Sequence, residues 1–125
     1  MEQRFLTPAE LEEKPGIKAQ HAVFRALKDV LAQVNSGWDV EETRVGSEQD
    51  RAGIDIWLVN TATGQSYILD VSFRRKENDT FLVLIRHDWF VVNEDDSWSV
   101  RKECITPLIR AILPVLGNPA IVRRM

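Results

Sequence analysis

Two β-prone runs, Ile54 to Val59 and Ser66 to Phe73, flank the segment Thr61-Ala62-Thr63-Gly64. Both are rich in β-branched and aromatic residues, and the segment between them carries the glycine that a tight hairpin loop uses. Pairing around a four-residue loop sets Asn60 against Gln65, Ile56 against Leu69 and Ile54 against Val71. One face of the hairpin then carries Ile54, Ile56, Leu58, Tyr67, Leu69, Val71 and Phe73. A slip of one residue would break that continuous apolar surface, so the pattern itself selects the register. The opposite face carries Asp55, Trp57, Val59, Ile68, Asp70, Ser72 and Arg74.

The rest of the chain frames this hairpin. Thr7-Pro8-Ala9-Glu10 reads as a helix start, with Thr7 as cap, Pro8 at the first helical position and Glu10 completing a capping box. Lys14-Pro15-Gly16 ends that short helix. A longer helix is predicted over 17–34, because Ile17, Val23, Phe24, Leu27, Val30, Leu31 and Val34 form one broad apolar face. Asn35-Ser36-Gly37 stops it, with Gly37 able to turn left-handed. Further strands are expected over 38–45, 81–86, 89–92 and 98–100, the last two joined by the turn Asn93 to Ser97. Thr106-Pro107 opens a last helix with an apolar face of Ile109, Ile112, Leu113 and Leu116, which Pro114 should kink or end. The strands look buried on both faces, so helices are expected to cover a central sheet. The fold class is α/β, with a mixed, largely antiparallel central sheet flanked by helices.

Composition bounds what such a domain can do. The 125 residues fit one domain, and 44% hydrophobic with 28% charged residues is the balance of a globular chain. Sixteen basic against nineteen acidic residues give a net charge of −3, so a nucleic-acid contact must come from a local patch. The single cysteine, Cys104, excludes an internal disulfide, and with two histidines it offers no zinc-site spacing. No apolar run is long enough to span a membrane, and the first residues lack a signal-peptide core, so a cytoplasmic protein is expected.

The hairpin register gives the chain its chemistry. Asp55 falls directly opposite Asp70, which brings their Cβ atoms to about 4.5–5.5 Å. Two carboxylates at that distance repel by roughly 3 kcal/mol at an effective dielectric of 20. Three remedies are open: protonation of one aspartate, an intervening cation such as Arg74 or Arg51, or a bridging divalent metal. Oxygen ligands on rigid strands suit Mg²⁺ or Mn²⁺, with the backbone carbonyl of Val71 as a further ligand. Such an ion would bind a phosphate oxygen, lower the pKa of a bound water and favour phosphodiester hydrolysis.

The run Asp50-Arg51-Ala52-Gly53-Ile54-Asp55, followed by Gly64 and then Ile68-Leu69-Asp70-Val71-Ser72, resembles the PD-(D/E)xK nuclease superfamily, in particular its small phage and bacterial members. The order of a helix, a three-stranded meander and a later strand is also similar to that family's restriction-endonuclease-like core. The likeness covers residues 17 to about 86. It implies a metal-dependent nuclease acting on DNA, with Asp55, Asp70 and the Val71 carbonyl holding Mg²⁺ or Mn²⁺. The family's lysine position is occupied by Ser72, which has no positive charge to orient water or stabilise a developing anion. The resemblance therefore implies either that Arg74 or Lys76 stands in for that lysine, or that the chain is a degenerate relative that binds without cutting. The family's first-helix polar residue falls near Gln20 or His21.

Other candidates have plainer readings. Arg74-Arg75-Lys76 is the one run of three basic residues and suits phosphate contact, or else a solvated hairpin end. Lys14, Lys18 and Arg25 would extend that patch. His21 reads as packed or capped, Cys104 as a small buried side chain, and Glu94-Asp95-Asp96 as a solvated turn. His87-Asp88 would do acid–base work only beside a nucleophile. Trp57 reads as packing, whereas Trp89 or Trp98 suits base stacking or a dimer interface. The alternative to a nuclease is a non-catalytic module on the same fold, as a homodimer acting on nucleic acid or on a protein partner. A third reading is a small structural protein with its aspartate pair neutralised by an arginine.

Overall fold

The computed structural model describes residues 3–9, 17–34, 37–42, 56–73 and 81–117. Its elements run β1 (Arg4–Phe5), α1 (Ile17–Gln33), β2 (Trp38–Glu42), β3 (Ile56–Asn60), β4 (Ser66–Ser72), β5 (Phe81–Leu84), β6 (Phe90–Val92), β7 (Trp98–Val100) and α2 (Ile105–Leu116). They form a mixed α/β fold with two sheets. The larger has the order β2-β3-β4-β5 and the smaller the order β1-β6-β7. All pairings are antiparallel except β4 with β5, which run parallel.

The hairpin has the register that its apolar pattern selects. Ile56 pairs with Leu69, Trp57 with Ile68, Leu58 with Tyr67 and Val59 with Ser66. The loop is closed by its own polar atoms. The Asn60 backbone N–H donates to the Gln65 carbonyl, and Gly64 N–H donates to the Asn60 carbonyl, both at 2.8 Å. The Asn60 side-chain oxygen accepts from the N–H of Ala62 and of Thr63, an Asx turn. Gly64 takes the left-handed φ of +77° that the last loop residue needs. Thr61 then fastens the loop to the turn that precedes β2, donating through both N–H and hydroxyl to the Gly37 carbonyl.

Helix α1 covers one face of the larger sheet. Its residues Ala19, Ala22, Val23, Leu27, Val30 and Leu31, with Val34 just past its end, are buried at the three- and four-residue spacings of one helical stripe. Across from them lie the buried Val40, Ile56, Leu58, Leu69, Val71 and Val83, which the strand pairings set on a single face. The same helix also packs against β7, so it ties the two sheets together. Phe90, Val92, Trp98, Leu108, Ile109 and Ile112 continue the one core. A fully buried Leu or Ile contributes about 1.5–3 kcal/mol relative to exposure, so this shared core is what holds the sheets in register.

Four expectations need correction. The strands are not buried on both faces: Trp57, Val59, Ile68 and Leu82 on the far side of the larger sheet remain only half-buried, because α1 lies on the opposite face. The strands over 90–92 and 98–100 do not extend the larger sheet; they pair with β1, a two-residue strand that carries no β-rich signal of its own. The last helix does not open at a Thr106 cap. It runs on from a 3₁₀ turn at Lys102–Cys104, and Pro107 falls inside the first turn, where its missing N–H is harmless. Pro114 does not stop α2 at once, since the helix goes on to Leu116 and ends at Gly117 with φ +69°. The helix start at Thr7-Pro8 is helical at residues 8–9, and the remainder of that segment lies outside the described residues. Among the described residues no helix is long and apolar enough to cross a membrane.

Candidate functional site

Strand β4 sits between β3 and β5 and carries three of the sequence-predicted site residues. Asp70 pairs with Leu82, Val71 with Val83 and Ser72 with Leu84. Alternation along the strand turns Val71 into the core under α1, where it is 3% exposed, and turns Asp70 and Ser72 to the far face. Asp70 is half-buried there, whereas Ser72 is only 6% exposed. Neither side chain is isolated. The placement agrees with the expected face, since Trp57, Val59 and Ile68 lie on the same side as Asp70.

Asp55, Arg51, Arg74, Arg75 and Lys76 lie outside the described residues, and so does the expected contact between Asp55 and Asp70. The carboxylate of Asp70 is a hard oxygen donor of the kind that Mg²⁺ and Mn²⁺ take. Among the described residues no three His, Cys, Asp or Glu side chains gather where they could hold a metal.

His21 proves to be hydrogen-bonded to a carboxylate, not merely packed. Its Nδ1 lies 3.0 and 3.3 Å from the two carboxylate oxygens of Glu42, with the imidazole 43% exposed and Glu42 20%. Such a carboxylate fixes the ring's orientation and leaves Nε2 as its other functional atom. Glu42 pairs with Ile56 in β3, on the α1 side of the sheet. Asp70 is on the other side, so the fold does not bring His21 and Asp70 to one face.

The neighbouring pair His87-Asp88 does not form a dyad. Asp88 is held in a two-pronged bond by Arg86, with Nε to Oδ1 at 3.1 Å and Nη2 to Oδ2 at 3.2 Å. His87 instead stacks on Phe73, ring centroids 3.8 Å apart and planes 16° from parallel. Its Nε2 is buried without a hydrogen-bond partner among the described residues, an unsatisfied polar atom of a kind folded proteins keep rare. No sequence signal pointed to Phe73 as the partner, because the two residues meet only through the parallel pairing of β4 with β5.

The remaining candidates fall into plain roles. Trp98 is 3% exposed and packs on Phe90 at 5.7 Å, which removes it from base stacking or an outer interface. Trp89 is half-buried against the core. Cys104 is buried, and burial pushes its thiol pKa up. Glu94, Asp95 and Asp96 form the exposed turn expected of them.

Comparison with protein-family models, with curated proteins and with solved structures finds no match.

Proposed function

We propose that this chain is a metal-dependent, nuclease-like protein that acts on DNA phosphodiesters, with Asp55 and Asp70 as the carboxylates that hold Mg²⁺ or Mn²⁺. The observation that carries the reading is the β3–β4 register. The alignment that sets Asp55 against Asp70 in sequence is the alignment seen across all four described pairs of that hairpin. Support also comes from element order: a helix, a three-stranded meander and a further strand follow one another as in the restriction-endonuclease-like core. In this reading Arg74, Arg75 and Lys76 contact the phosphate backbone. The bound ion would polarise a phosphate oxygen and lower the pKa of an attacking water.

One feature favours a second reading, a non-catalytic nucleic-acid-binding module on the same fold. Ser72 holds the position of the missing lysine and is 6% exposed, so that spot is filled by packing and carries no cation. Thermal melting with and without Mg²⁺ or Mn²⁺ tests the metal: an ion that binds only the folded form raises the melting temperature, by about 2.7 kcal/mol of stability at a hundredfold excess over Kd. Plasmid incubation with Asp70→Asn as control then separates the readings. Cleavage lost in the variant supports a nuclease. Salt-sensitive DNA binding without cleavage supports the module. DNA left intact and unbound, with no metal stabilisation, removes both.

A further inference from the structure

We propose that β5 is the dimerisation edge of this protein: two copies pair their β5 strands antiparallel about a two-fold axis through Val83, which joins their larger sheets into one. The proposal goes beyond the chemistry assigned to Asp70 and does not depend on it.

Strand β5 ends the larger sheet, whose order is β2-β3-β4-β5. Its parallel register on β4 fixes which of its backbone groups are used. Asp70 pairs with Leu82 and Ser72 with Leu84, and Ile85 N–H donates to the Ser72 carbonyl at 2.8 Å. Successive residues of a strand point their N–H and C=O to opposite sides. Phe81, Val83 and Ile85 therefore face β4, whereas the N–H and C=O of Leu82 and Leu84 face outward. Those outward groups have no partner among the described residues.

Open edges are normally guarded by charge, proline or a bulge. The other edge of the same sheet is guarded in this way: β2 carries Asp39, Glu41 and Glu42, so a second copy pairing there would set carboxylate against carboxylate. Strand β5 reads Phe81-Leu82-Val83-Leu84 and carries no charge. Leu84 is 38% exposed. An independent observation comes from α2, which packs against β5. Arg110 is the only charged residue in its twelve. Ile105, Ala111, Leu113 and Val115 stay half-buried, and Pro107 and Pro114 are exposed. A helix that is apolar on all sides belongs in an interior, and on its own this chain does not cover the outer side of α2.

The occupant that fits is a second copy, because the edge is complementary to itself. With the axis at Val83, Leu82 of one copy lies opposite Leu84 of the other. Each outward N–H then faces an outward C=O, the closely spaced pairing of an antiparallel ladder. The axis stands perpendicular to the sheet, so the leucines of both copies meet on one face and no charged side chain of β5 is set against its like. Helix α2 is brought to the same side of the joined sheet as its own copy. Such a contact is isologous and closes at two copies. Joining β5 to β2 of a further copy would instead propagate as a filament, with the β2 carboxylates in every seam. The same axis carries both copies of Asp70 onto one continuous face.

The test is sedimentation velocity of the full chain over a dilution series, in metal-free buffer containing EDTA. Wild type should sediment at twice the 14.3 kDa chain mass and dissociate on dilution. Leu84→Lys places an ammonium in the seam from each copy, and Leu84→Pro removes an N–H that β4 does not use. Both variants should sediment as monomers with the far-ultraviolet circular dichroism of wild type. Hydrogen exchange followed by NMR tests the native sequence directly. The Leu82 and Leu84 amides should be protected at high concentration and exchange on dilution, whereas the Val83 amide, bonded to β4, stays protected throughout. If a Leu84 variant misfolds, this measurement decides. A wild type that is monomeric at every concentration overturns the proposal. So does a dimer that survives both Leu84 variants, and so do Leu82 and Leu84 amides that exchange rapidly within the dimer. The two readings fall separately: a dimer of this kind with no metal stabilisation or cleavage removes the nuclease alone, and Asp70-dependent cleavage by a monomer removes the β5 edge alone.

Discussion

Replacing Ser72 by lysine probes the face shared with Asp70 and the chemistry proposed for it. The site is 6% exposed, so the longer side chain costs about 1–3 kcal/mol in overpacking, and desolvating its ammonium costs several kcal/mol more. Asp70 is two residues away on the same side of one strand, roughly 6.6 Å along the backbone, within reach of a four-carbon stem. An ammonium about 4 Å from that carboxylate regains roughly 4 kcal/mol at an effective dielectric of 20. The expected net effect of S72K is a loss of about 1–3 kcal/mol, read as a lower urea midpoint with an unchanged slope. In the S72K/D70N pair the cation has lost its partner, so the double variant should be less stable than the two single effects combined. The coupling in a double-mutant cycle should exceed about 1 kcal/mol, as for residues in contact. Coupling indistinguishable from zero would mean that the two positions do not share a face, and the geometry on which the candidate site depends would be wrong. Plasmid cleavage by S72K but not by S72K/D70N is the corresponding gain expected of a degenerate nuclease.

Three further outcomes follow from local physics. The Asp39 carboxyl is held below its usual range, chiefly by the Val40 N–H at 2.8 Å and also by Lys28 at 3.3 Å. Its folded pKa is depressed, so its contribution to stability is full above the ordinary carboxylate value and is lost as pH falls through the lowered one. Because the side chain is 50% exposed, Asp39→Asn should remove less than about 1 kcal/mol and flatten the acid limb of the stability curve below the ordinary carboxylate pKa. Gly64→Ala meets no atom within 4 Å of the new Cβ, so its cost is backbone strain alone at φ +77°, about 1–2 kcal/mol by denaturant titration. Cys104 is buried with its thiol pKa raised by desolvation. Iodoacetamide at mildly alkaline pH should alkylate it in urea much faster than in the native protein, as followed by mass spectrometry.

The elements whose signals are local were legible in the chain. The 3.6-residue apolar stripe of α1, the stop at Gly37, and the hairpin with its Asn60 and Gly64 chemistry all follow from short-range preferences, and the β3–β4 register follows because only one alignment keeps its apolar residues together. The side of the sheet that Asp70 and Ser72 occupy followed from the same alternation. Non-local choices were not legible. Nothing in Arg4-Phe5 marks it as the strand that completes a second sheet with β6 and β7, because its pairing partner is Val91-Val92, far along the chain. Parallel docking of β5 on β4 is likewise set by packing at a distance. It alone decides that Phe73 meets His87, that Asp88 turns to Arg86 instead of its neighbouring imidazole, and that a cleft opens beneath Phe5. Periodicity determines which face of an element is apolar; only the assembled core determines which polar residues share the space beyond it.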